Sequence, residues 1–347
     1  MKTNKVIVNT GCSYGVMFRS MKEFTNGNSN DFTVIDLHCD SHGSTYQKRS
    51  VIYSISKLLN EGISPDNIYV IVEWSQPNRL FVELPSEFCG KILEEPSHTE
   101  PTFILDNTFN TVDNKSDFIR KYKSLNVVIG DRVYANIEHS DLSSFDDKQL
   151  KSYISTYIKN SPINNKPIDR FETYLTDILD LQNFLKSKNI NYSFFLMNNT
   201  FEGYLDDLSH RYIKDEMYKE LENETIKIPD LTRDKLIKEF SSYLSHIWDL
   251  IDFSHFHFYK TDRFNYGGID EYSMEKFGHI AYTSCANPWD IPDDGYVTSF
   301  GAHPHDSVYI DFFIEFVYNK IRPYIGELEF DFTDRWSKTK HNAIRLW

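Results

Sequence analysis

The sequence lacks any long apolar run. No segment approaches the roughly 20 consecutive apolar residues that cross a bilayer, so no transmembrane helix is expected. Near the N-terminus, lysines precede only Val6-Ile7-Val8, too short for the apolar stretch of a signal peptide. Cysteine is scarce. Cys12, Cys39, Cys89 and Cys285 contain no Cys-x-x-Cys spacing, so neither a zinc site nor a disulfide framework is expected, and a reducing compartment is. Basic charge is in deficit: 37 Lys and Arg face 51 Asp and Glu, a net charge of −14. Such a chain repels nucleic acid, which excludes binding by bulk electrostatics. Internal repeats and low-complexity tracts are also missing.

What is present is aromatic. Phe, Tyr and Trp make up 15% of the 347 residues. That content can build a large core and excludes a disordered tail. The length suits one large domain with insertions, or two domains.

The first third alternates strands and helices. Lys5 to Asn9 reads as a buried strand, and Thr33 to Leu37 as a second. Apolar residues at Val51, Ile52, Ile55, Leu58 and Leu59 have helical spacing; Ser44 or Thr45 is the expected cap and Gly62 the expected stop. Ile68 to Trp74 is a continuous β-branched and aromatic run, a third strand. Strand, helix, strand at this spacing predicts a parallel sheet with crossover helices. Residues 77–166 are rich in Asn, Asp, Ser and Pro and read as an insertion, about 80–170, with a helix near Asp147 to Lys159. The α/β pattern then returns: helix Glu172 to Lys188, strand Tyr192 to Met197, helices His210 to Glu222 and Thr232 to Ile251, and a fifth strand at Phe253 to Tyr259. Gly267 to Thr298 reads as loop. Val308 to Ile321 reads as a final helix stopped by Pro323, with a C-terminal extension from about residue 324. The whole predicts one domain over 1–347, an α/β three-layer sandwich on a five-stranded parallel sheet. In such sheets ligands bind beyond the carboxyl ends of the strands.

Gly11-Cys12-Ser13-Tyr14-Gly15 spells G-x-S-x-G where the first strand ends. A serine on such a turn exposes its hydroxyl, and the N–H groups of a following helix can hold an oxyanion. The α/β-hydrolase elbow shares this spelling, but that fold places strands before its nucleophile, and only twelve residues precede Ser13. A serine after the first strand, with a late histidine before the last helix, instead resembles the SGNH (GDSL-type) hydrolase superfamily, most closely its phage-type branch. Four segments carry the resemblance: Val6 to Gly15, Ser41-His42-Gly43-Ser44-Thr45, Tyr69 to Ser75 with Arg79, and Gly301-Ala302-His303-Pro304. Together they cover roughly residues 5–80 and 172–322.

The resemblance implies a flavodoxin-like SGNH fold and a serine esterase or deacetylase. Its substrates are expected to be esters or O-acetyl groups, on a small ester or an acetylated carbohydrate, with no cofactor. Ser13 maps to the nucleophile and His303 to the base. The N–H groups of Ser13 and Gly43 map to the oxyanion hole, while Trp74 and Arg79 line the site. Two departures stand out. The family's oxyanion asparagine is missing from its place, leaving Ser75, Gln76 or Asn78 as substitutes. The aspartate expected two or three residues before the histidine is replaced by Gly301 and Phe300, leaving Asp293, Asp294 or Asp306 to orient the imidazole.

Two other classes stay open. A catalytically impaired structural or binding protein, for example a phage virion component or a homo-oligomeric assembly, fits both departures; the expected location is cytoplasmic or virion-associated. A metal-dependent hydrolase would draw on Asp36, His38, Asp40 and His42, which alternate along one strand and its exit, on His255 and His257, which would share a strand face, and on His303 and His305. Ligands at every second residue of an internal strand bury charge, which weighs against that centre.

Overall fold

A computed structural model of the chain describes residues 5–11, 32–37, 43–77, 79–83, 126–129, 132–138, 148–160, 167–198, 200–201, 242–260, 265–277, 282–283, 303–304 and 306–327. The expected helix His210 to Glu222, the first half of Thr232 to Ile251 and all four cysteines lie outside these residues.

The central sheet has four parallel strands. β1 (Lys5–Thr10), β2 (Phe32–Asp36), β3 (Ile68–Trp74) and β7 (Asn191–Leu196) are ordered β2-β1-β3-β7. Every residue of β3 is buried, as its apolar run, interrupted by Glu73 alone, predicts for a strand covered on both faces. The register pairs Val8 with Ile35 and Val70, and Val70 with Tyr192. Between β3 and β7 the chain builds a second, antiparallel sheet. β4 (Arg79–Glu83), β5 (Asn126–Ile129) and β6 (Arg132–Glu138) are ordered β4-β6-β5. Helix α2 (Lys148–Asn160) follows, at the expected helix of the insertion.

Alternation divides the sheet into two faces. Face one carries Val6, Val8, Val70, Val72, Trp74 and Phe194 and is covered by α1 (Ser44–Asn60), α3 (Pro167–Ser187) and α4 (Ser242–Leu250). Face two carries Ile7, Val34, Tyr69, Ile71 and Phe195. It is covered by α5 (Ile269–Phe277) and by a C-terminal helix of three parts: α6 (Asp306–Phe312), a π-turn (Phe313–Val317) and α7 (Tyr318–Ile325). Each fully buried Val, Ile, Leu or Phe contributes about 1.5–3 kcal/mol, so two cores of this size dominate the stabilisation.

The helix ends follow local chemistry. Gly62 stops α1 as expected: at φ +86° it donates to Leu59 O, and Ile63 donates to Leu58 O. That is a Schellman motif, which needs a left-handed residue. Ser44 and Thr45 do not cap α1; the N-cap is Gly43, and both hydroxyls turn to another helix.

Three expectations are corrected. Phe253 to Tyr259 is not a regular strand. Asp252 accepts from Ser254 N and folds Phe253–His255 into a 3-10 turn, and one parallel bridge, Phe194 to Phe256, remains beside β7. The stretch from Gly267 is not all loop, because α5 and the short strand β8 (Tyr282–Thr283) lie in it. Pro323 does not stop the last helix, which continues to Ile325 and ends at Gly326, φ +89°. Pro323 and Asn319 are both exposed, so the carbonyl displaced by the proline ring has access to water.

Candidate active site

Each part of the site is set by where its element ends. β1 leads through Thr10 to Gly11 at the carboxyl edge, two residues before Ser13. Leu37 N donates to Asn9 O at 2.8 Å and Thr10 Oγ1 donates to Leu37 O at 3.4 Å, tying the exits of β1 and β2 together. Gly43 opens α1 at the same edge. Its φ of −93° is one that any residue adopts, so backbone conformation does not demand glycine there.

Asp177 fixes the first turn of α1. This carboxylate on α3 is 3% exposed. It accepts from Ser44 Oγ and Thr45 Oγ1, each at 2.7 Å, and pairs with Lys48 Nζ at 2.7 Å. Burial opposes the Lys48 charge, but Asp177 and then Asp180 more than offset it, so the ammonium pKa lies above its usual value. Asp177 was not anticipated as a site residue. The signal was available: it lies three residues after Tyr174 and four before Leu181, on the buried stripe of α3. A carboxylate on a buried stripe requires partners.

Gln47 of α1 clamps the exit of β3. Its Nε2 donates to Glu73 O at 2.7 Å, and its Oε1 accepts from Ser75 N at 3.3 Å. Ser75 is fully buried with its N–H committed to Gln47. Trp74 does not line the site. It is fully buried on face one, edge-on to Tyr174 and Phe194 at 6.1 and 5.3 Å, because alternation turns it toward α3. Arg79 begins β4.

Other buried polar residues gather at this edge. Asn9 and Thr10 end β1, Glu73 is the penultimate residue of β3, and Asn198 and Thr200 follow β7. Gly268 brings α5 against β7: Ile269 N and Asp270 N donate to Met197 O at 3.1 and 3.3 Å, and Glu271 Oε2 accepts from Gly268 N at 2.7 Å. A Cβ on Gly268 would lie 2.0 Å from Leu196 O, so this approach requires glycine.

The C-terminal helix runs against the strand direction. Tyr324 stacks on Tyr69 at 4.7 Å and its carbonyl accepts from Lys5 Nζ at 2.7 Å, both at the amino ends of strands. Phe316 meets Phe195 at 6.4 Å, near the carboxyl end of β7. Phe312 then meets Tyr272 of α5 at 5.2 Å. At about 1.5 Å per residue, the ten residues before Phe316 carry the helix start roughly 15 Å further, to the carboxyl edge and beyond. Directly ahead of that start lies β9 (His303–Pro304), whose His303 pairs with Thr283 of β8. Asp306 is the first residue of α6. Ser13, Asn78, Asp293 and Asp294 lie outside the described residues, as do His38, Asp40, His42 and His305.

A hydrogen-bonded Ser–His pair exists elsewhere. Ser193 Oγ is 2.9 Å from His257 Nε2 and 2.6 Å from Tyr69 OH. Ser193 is 1% exposed in mid-strand, so no substrate reaches it. Burial, then Lys320 and His255, depress the His257 pKa to about 4. His255 and His257 do not share a strand face. His255 belongs to the 3-10 turn and stacks on Tyr192 of face one at 4.1 Å, while His257 turns to Ser193 and Phe195 of face two. Among the described residues, no three His, Cys, Asp or Glu side chains group as metal ligands, and no helix is long and apolar enough to cross a membrane.

No family model, curated protein or solved structure matches the chain.

Proposed function

We propose that the chain is a serine ester hydrolase of the SGNH type, acting on ester or O-acetyl groups, with a small ester or an acetylated carbohydrate as substrate. The observation that carries this reading is the direction of the C-terminal helix, which brings the His303 segment toward the edge where β1 leads to Ser13 and Gly43 opens α1. The strand order β2-β1-β3-β7, with Phe256 bridged outside β7, supports a flavodoxin-like sandwich. Its switch point falls between β1 and β3, at the exit toward Ser13.

In this reading His303 accepts the Ser13 hydroxyl proton as Oγ bonds to the ester carbonyl carbon. The N–H groups of Ser13 and Gly43 hold the resulting oxyanion. The intermediate collapses, the C–O bond to the alcohol breaks, and His303 returns the proton to the leaving oxygen. Water, deprotonated by His303, then releases the acid and restores Ser13. The family's aspartate has no counterpart at Phe300 or Gly301; Asp306, at the head of α6, is the described carboxylate nearest in sequence to His303. The test is hydrolysis of p-nitrophenyl acetate by the wild-type chain and by Ser13→Ala. Turnover above buffer that is lost in Ser13→Ala, and unaffected by chelator, supports the reading. Loss on chelation with recovery on adding a divalent ion favours the metal-dependent alternative.

A second reading is favoured by Ser75, whose N–H is committed to Gln47, and by Phe300 and Gly301 at the acid position. Both point to an impaired site on a structural or binding protein such as a virion component. Folded protein with no turnover supports it.

A further inference from the structure

A groove of about 620 Å³ opens along the lateral edge of the central sheet, outside β7. It exists because strand pairing stops there. After the bridge at Phe256, the chain turns at Tyr259 to pair with Gly267, and among the described residues no regular fifth strand fills the edge. Half-buried rings form its walls: Phe253, Phe258 and Tyr266 on the side of α4, and Phe316 from the π-turn opposite. Phe258 and Tyr266 meet edge to face at 5.0 Å, so the groove offers both a ring face and a ring edge.

Its charge is opposite to that of the chain. The protein carries 51 acidic residues, yet none of the described residues lining this groove is acidic. Lys260 and Lys320 both line it and are exposed. Among the described residues neither lysine makes an ion pair; Lys320 Nζ lies 5.7 Å from the centre of the Phe316 ring. His257 also lines the groove and is hydrogen-bonded to Ser193. Burial first, and then the Lys320 charge, depress its pKa to about 4, so Lys320 is felt inside the groove. The volume lies within the range of sites for small organic ligands, about 300–1,000 Å³.

We infer that this groove is a binding site for a planar ring bearing an anionic group, an aryl carboxylate, sulfonate or phosphate, with the ring among Phe253, Phe258, Tyr266 and Phe316 and the anion at Lys260 and Lys320. The assignment is independent of the chemistry proposed for Ser13. Surface lysines alone would attract any anion, whereas this arrangement selects an anion joined to a flat apolar ring.

The test titrates the full chain with 2-naphthoate, followed by ligand-observed NMR, beside the uncharged 2-naphthamide. The variant is Lys260→Gln/Lys320→Gln, whose exposed side chains leave both cores intact; a thermal melt matching wild type verifies this. Expected is saturable millimolar binding of naphthoate, as befits a fragment. In the double variant that affinity weakens about tenfold, the sum of two exposed charge pairs, while naphthamide changes less than about twofold. Three results overturn the inference: no saturable naphthoate binding, equal naphthoate affinity in the double variant, or equal weakening of the two compounds.

Discussion

Asp177→Ala tests how the candidate oxyanion turn is held. In the wild-type chain this buried carboxylate receives two hydroxyl hydrogen bonds and one ammonium, each at 2.7 Å. Alanine removes all three. Ser44 is 6% exposed, so its hydroxyl loses its partner largely out of reach of water, at a cost of about 1–3 kcal/mol. Thr45 is half-buried and costs less. The Lys48 side chain, 17% exposed, keeps Asp180 at 2.9 Å, so breaking its pair costs less than the roughly 3–5 kcal/mol of a fully stranded buried charge. The sum is a loss of about 3–5 kcal/mol. Asp177→Asn keeps the shape and one acceptor oxygen, and its loss is expected at about half that value. The assay is urea unfolding followed by circular dichroism, with each midpoint converted through the slope of the transition. The pair also has a pH signature. The Lys48 pKa is raised on folding, so the pair's contribution is complete below 10.5 and is lost as pH rises through the higher folded value. A loss below about 1 kcal/mol in Asp177→Ala refutes the reasoning, as does a variant as sensitive as wild type above that pH.

Gly268→Ala places a Cβ 2.0 Å from the Leu196 carbonyl oxygen and 2.7 Å from Met197 backbone, so it is expected to cost more than about 3 kcal/mol in the same assay. Gly62→Ala meets nothing within 4 Å and costs only the left-handed backbone penalty, about 1–2 kcal/mol; equal losses at the two positions would contradict the close-approach argument. His257 gives an acid sensitivity. Its folded pKa, about 4, lies below the ordinary 6.5, so its contribution is full above 6.5 and falls as pH drops toward 4, by up to about 1 kcal/mol per pH unit after solvent screening. His257→Gln should flatten that limb of a stability-versus-pH curve, and an unchanged slope would count against it.

The parallel sheet was legible because β1, β3 and β7 are covered on both faces and read as mainly apolar runs. Helices α1 and α3 were legible from helical spacing and, for α1, from Gly62. What escaped was set by tertiary contact. The start of α5 is fixed by its N–H groups meeting Met197 O, a partner far away in sequence. The aromatic alternation of Phe256 and Phe258 reads as a strand, but Asp252 caps a turn just before it. The edge strands of the second sheet are short runs in polar surroundings, so Leu80 to Val82 and Val127 to Ile129 carried too little pattern. At the site, Ser13 lies outside the described residues, and the direction of the C-terminal helix bears on the His303 segment alone. Trp74, a site-lining residue only in the family resemblance, packs in the core, because strand alternation and not motif position decides which face a side chain takes. Asp177 and Gln47, which hold the turns, appear in no motif.

The central claim is that Ser13 is an activated nucleophile. The direct measurement is mass spectrometry of the chain after reaction with a fluorophosphonate, beside Ser13→Ala and His303→Ala, all checked for wild-type circular dichroism. The account predicts one adduct on the peptide carrying Ser13, absent in Ser13→Ala and slowed by orders of magnitude in His303→Ala. Folded wild-type protein that takes no label, or label on another residue that persists in Ser13→Ala, would contradict it.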